Sequence, residues 1–143
     1  MMIFQKSYLT SSLIQGDVVQ ISFVIGGAAE VSEKLAEKVT NNLNVENLND
    51  KIEAEEDIMK IALCVESIAK RSEEVVEKLI PVVKKKIERA EKDSWKINHC
   101  IGVIGLGSEE FASKLVNQLD PENAKTPEVR EKIIELKKQY QKT

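Results

Sequence analysis

Apolar positions recur along most of this chain at the spacing of α-helices. Val31, Leu35, Val39 and Leu43 fall four residues apart and predict a helix over 30–43. Asn41, Asn42, Asn44, Asn47, Asn49 and Asp50 then read as a loop, because short amide side chains compete for backbone hydrogen bonds. Asp50 with Glu53 three residues later has the form of a capping box. Ile58, Ala62, Val65, Ala69, Val76, Leu79, Val83 and Ile87 follow one face from there, which predicts helix to about Asp93 with a kink or break at Pro81. Ser108 caps a helix through Leu119, with Glu109 and Glu110 at its positive end. Asp120 to Asn123 is a turn. Thr126 and Pro127 open a last helix striped by Val129, Ile133, Leu136 and Tyr140.

Two segments carry two patterns at once. Val19, Ile21, Phe23 and Ile25 alternate as a strand would, and Gly16-Asp17 could turn that run back on 8–15. The same run also reads as a helix through Val18, Ile21, Ile25 and Ala28, and 97–106 has the same double identity. No internal repeat stands out. The expected fold is mainly α: a single domain over 1–143, built as a bundle of four or five helices. It becomes α+β, with a small sheet from 8–25 and 97–106, if both segments are strands.

Composition supports helices packed on helices. Aromatics are only 4% of the 143 residues, so Ile, Leu, Val and Ala must make the core, against a background that is 31% charged. No glycine falls between Ala28 and Ile101. Two cysteines, Cys64 and Cys100, form neither a disulfide framework nor a zinc spacing, and both sit in apolar runs. No signal-peptide pattern is visible, and the longest apolar stretch, 18–31, is interrupted by Gln20, Ser22 and Glu30. A cytoplasmic protein is the expectation.

Candidate chemistry is sparse. The run Ile101-Gly102-Val103-Ile104-Gly105-Leu106-Gly107-Ser108 opens like a dinucleotide-binding turn. Glu110 stands where the third glycine belongs, however, and no second strand follows with a ribose-binding acid. The plainer reading is close helix packing, with Gly102 and Gly105 set against the 26–29 run of small residues. His99 and Cys100 are neighbours and point apart, and Cys64 lies among apolar residues that oppose a thiolate. The carboxylate clusters lack the Glu-x-x-His spacing of a di-metal bundle. No cofactor, metal or small-molecule substrate is implied.

Charge is distributed unevenly. Net charge is −3, which argues against a general nucleic-acid binder. Yet residues 79–96 hold six basic and three acidic side chains, whereas residues 30–78 hold seven basic and thirteen acidic. Lys85, Arg89, Lys92 and Lys96 recur at i, i+4, i+7 and i+11 with Trp95 beside them, a stripe that suits phosphates or an anionic membrane surface. Its plain alternative is a solvated helix face. With no nucleophile, base and orienting group in view, the leading expectation is a non-enzymatic protein–protein interaction module. An adaptor, a regulator or a small subunit of an assembly would fit, binding a protein partner or itself. The alternative is a binder of nucleic acid or anionic membrane through the basic stripe.

Overall fold

A computed structural model describes residues 16–91 and 94–141. Among them there is no strand. The helices are α1 (Val18–Val31), α2 (Glu33–Asn41), α3 (Val45–Ala54), α4 (Ile58–Ala69), α5 (Glu73–Glu77), α6 (Ile80–Glu88), α7 (Ser94–Gly107), α8 (Glu109–Gln118) and α9 (Pro127–Gln141), with a 3₁₀ turn at Pro121–Asn123.

The mainly α class holds, and the count of four or five helices is corrected to nine among the described residues. The helix expected from Asp50 to about Asp93 is interrupted at 55–57, 70–72 and 78–79, and a further helix opens inside the expected loop. Asn44 and Asp57 accept hydrogen bonds from Asn47 and Met59 N–H, opening α3 and α4. The asparagine stretch is therefore largely helix, and Asp50 lies inside α3 rather than capping it. The break expected at Pro81 is present, between α5 and α6, and Pro81 kinks neither helix. It sits in the first turn of α6, where its missing N–H costs nothing.

The small sheet is also corrected. Asp17 caps α1 by accepting from Gln20 N–H at 3.0 Å, and Val18, Ile21, Ile25 and Ala28 are buried at helical spacing. Phe23, which alternation would have buried with Ile21 and Ile25, is 73% exposed. Residues 97–106 lie within α7. The proposed first strand, 8–15, lies outside the described residues.

The nine helices form three units, α1–α3, α4–α6 and α7–α9, so the chain does contain a repeat. Its register is set by Ser32, Ser72 and Ser108, 40 and 36 residues apart. Each serine N–H closes the preceding helix on the carbonyl four residues back, at 3.0, 2.8 and 3.0 Å. Each hydroxyl accepts from the N–H three residues on, Leu35, Val75 and Phe111, at 3.0, 3.2 and 3.1 Å. A glutamate follows every time. With the serines aligned, Ile21, Ile61 and Ile97 coincide, as do Ile25, Val65 and Ile101, and all six are buried. The third helices share an apolar-x-x-Lys-Ile pattern at Leu48-Ile52, Val83-Ile87 and Val129-Ile133, again with the apolar pairs buried.

The units stack in order. α1 packs on α4 and α4 on α7, so the three leading helices form a row with α4 in the middle. The second and third helices cover one side of that row. Such a unit cannot bury its apolar face alone, and stacking neighbours completes the core. Polar ties reinforce the stack. Arg71 pairs with Glu33 of the first unit at 3.3 Å, and Lys114 of α8 reaches Glu73 and Glu77 of α5. The buried Glu88 carboxylate takes Lys84 at 3.0 Å and the Asp120 N–H at 2.7 Å, which joins α6 to the third unit.

The small-residue patches do not pack on each other, because α4 stands between α1 and α7. A Cβ at Gly26, Gly27 or Gly102 would meet nothing within 4 Å, and at Gly105 it would make an ordinary 3.9 Å contact with Ala112. Close approach occurs at Gly107 instead, against the backbone of Glu66.

Candidate interaction surface

The leading helices bury one face against the second and third helices of the units and turn the other outward. Phe23 and Leu63 occupy the same position in α1 and α4, 40 residues apart, and both are exposed. His99 takes that position in α7 and is exposed as well. Two turns later along the same face, Leu106 is 79% exposed. α1 and α7 carry apolar residues around most of their circumference, a composition usual for helices covered on both sides. The outward face of the row is thus an apolar band interrupted by Glu30 of α1, Lys60 and Lys70 of α4 and His99 of α7.

The basic stripe is not one helix face. α6 ends at Glu88 and α7 begins at Ser94, so the expected periodicity breaks between them. Lys85 is exposed on α6. Arg89 lies just beyond its end, with its guanidinium 3.5 Å from the Glu53 carboxylate. Lys96 holds its ammonium 5.9 Å from the Trp95 ring centre. Trp95 is 56% exposed and meets His99 edge-on at 5.5 Å. Lys92 lies outside the described residues.

Arg89 and Lys96 come together with Lys86 in a cleft of about 580 Å³ between the first two units and the start of the third. Glu53, Glu56, Asp57 and Glu91 line the same cleft. Three cations against four carboxylates make a mixed site rather than a phosphate cradle. Lys86 is further engaged, since its ammonium donates to the Glu53 carbonyl at 2.9 Å. Lys84 is held by Glu88.

The thiols are sealed in the core. Burial pushes Cys64 and Cys100 each up to about 12, with the charge of Asp17 adding to the effect at Cys64. A thiol held protonated is a poor nucleophile. His99 faces outward on α7, while Cys100, next to it, is buried. Among the described residues no group of three or more His, Cys, Asp or Glu is placed to hold a metal ion. No helix among them is long and apolar enough to cross a membrane.

Reading the sequence for chemistry missed the outward apolar band. The signal was present in the sequence, but only the 40- and 36-residue offsets align Phe23, Leu63 and His99. Compared with protein-family models, curated proteins and solved structures, the chain matches none of the three.

Proposed function

We propose that this protein is a non-enzymatic interaction module, a short helical-repeat scaffold that binds a protein partner along the outward face of α1, α4 and α7. The observation that carries the reading is the exposure of Phe23, Leu63 and Leu106 on adjacent helices of one row. Large apolar side chains exposed on adjacent rigid helices suit an amphipathic segment laid across them, with Lys60 and Lys70 available to acidic flanks.

The test replaces Phe23 and Leu106 by glutamate. Both are exposed, so the melting temperature should change little. Proteins cross-linked to the wild type in an extract and then identified should be lost with the double variant. Equal recovery by both forms rejects the proposed face. The alternative, binding of nucleic acid or anionic membrane through Lys85, Arg89, Lys92, Lys96 and Trp95, draws support from the exposed Trp95 with Lys96 beside it. Trp95 fluorescence, titrated with an oligonucleotide or anionic vesicles at low and high salt, tests it. Unchanged emission throughout excludes it.

A further inference from the structure

We propose that this chain associates with a second copy of itself head to tail, the exposed edge of α7 packing on the exposed edge of α1 so that the row of leading helices continues from one copy into the next. The inference uses the two ends of the row and not its outward face, so it stands or falls separately from the proposed function.

The repeat itself shows what each edge is built to meet. The backbones of α4 and α7 touch where Gly107 meets Glu66, and Met59, Ala62 and Ala69 share the Glu66 face of α4 at helical spacing. Ala62 is fully buried there. The same positions in α7 are Trp95, Asn98, Gly102 and Gly105. Asn98 and Gly102 are exposed and Trp95 is 56% exposed. At the other end, Lys96, Cys100 and Val103 share the Gly107 face of α7 at helical spacing, and the matching positions in α1 are Gln20, Val24, Gly27 and Val31. Cys100 is buried at 1%, whereas Val24 is only partly covered and Val31 is 76% exposed. Each end therefore carries one half of the interface that joins α4 to α7 within the chain.

Charge agrees with the same junction. Lys114 crosses from the third unit to Glu73 and Glu77 of the second. Lys38 holds the place of Lys114 in the first unit, and Glu109 and Ser113 hold the places of Glu73 and Glu77 in the third. Stacking one copy on the next brings Lys38 of one to Glu109 of the other. The contact is heterologous, so it builds open chains or closed rings rather than a symmetric pair.

Sedimentation velocity on the full chain is the experiment, with Val31→Glu blocking the α1 edge and Gly102→Glu blocking the α7 edge. Both sites are open, so each variant should keep its helical circular dichroism. The wild type should grow in mass with concentration beyond a dimer, and each variant alone should stay monomeric. An equimolar mixture of the two should form a dimer and stop there, since only one intact edge of each kind is left. Should either glutamate prevent folding, Lys38→Glu and Glu109→Lys serve instead, each weakening association and the double exchange restoring it. Self-association that survives Val31→Glu overturns the proposal in favour of a symmetric contact. A wild type that is monomeric at every concentration also overturns it, and a melting temperature lowered by Val31→Glu would then assign the α1 edge to residues 1–15 of the same chain.

Discussion

Gly107 is placed where the leading helices of the second and third units come closest. A Cβ there would run into the Glu66 carbonyl oxygen and lie 3.1 Å from its Cα, and backbone cannot rotate aside as a side chain can. Gly107→Ala should therefore cost about 1–3 kcal/mol through overpacking. Gly102→Ala, in open space within the same helix, should gain up to about 1 kcal/mol from reduced chain entropy. Thermal melts of the two variants check the contrast, and shifts of the same sign would contradict it. The buried thiols make a second prediction. Each folded thiol ionises only near pH 12 against an ordinary value of 9.0, so above pH 9 the unfolded chain loses protons that the folded chain keeps. Stability is intact below pH 9 and should fall by about 1.4 kcal/mol per pH unit for each thiol up to about pH 12. Other groups titrate in this range, so the decisive comparison is with a Cys64→Ala, Cys100→Ala variant. Its stability should decline less steeply between pH 9 and 11, and an equal slope would refute the assignment.

At the scale of the element, three serines do the same work three times. Ser32, Ser72 and Ser108 each end one helix and begin the next. Alanine at any of them should cost about 1 kcal/mol, the usual worth of an N-cap. Ser72 should be the most sensitive, because its side chain is buried and water cannot replace the lost acceptor. Urea midpoints for the three variants test that order, and a neutral Ser72→Ala would contradict it. The same residues explain how much of the fold could be read from the sequence. The helix at Ser108 and the last helix at Thr126 were legible because an oxygen-bearing cap stands directly before an apolar stripe. The break at 70–72 was not, since the stripe from Ile58 to Ile87 runs on in phase across it, and the break at 55–57 was hidden because Asp50 and Glu53 offered a capping box ahead of it. The strand-like run at 19–25 misled for a related reason: alternation and helical spacing share Ile21 and Ile25, and only the exposure of Phe23 separates them. In the basic stripe, Arg89 and Lys96 line one cleft although they do not share a helix face. Their acidic company was not visible, because Glu53, Glu56 and Asp57 come from a different unit.

For the whole molecule, stacking makes stability a matter of neighbours. The units bear the same three-helix plan, but α4 has a leading helix on either side and α1 has one. In such an array each unit contributes its own stability and an interface with the next, so an end unit held by one interface opens at lower cost than the middle. Amide hydrogen exchange should then be slowest in α4 and faster in α1 and α2. Ile25→Ala and Val65→Ala remove fully buried side chains at matching positions of the first and second units. Each should cost on the order of 2–4 kcal/mol, a large part of the roughly 5–15 kcal/mol that holds a chain of this size. Their reach should differ. Ile25→Ala should quicken exchange in α1–α3 while α7–α9 stay protected, because opening the first unit breaks one interface. Val65→Ala should quicken exchange throughout, because the middle unit carries both interfaces and neither end is held without it. Uniform loss of protection in both variants would mean that the three units unfold as one cooperative body, and the description of the chain as a stack of separable repeats would have to be given up.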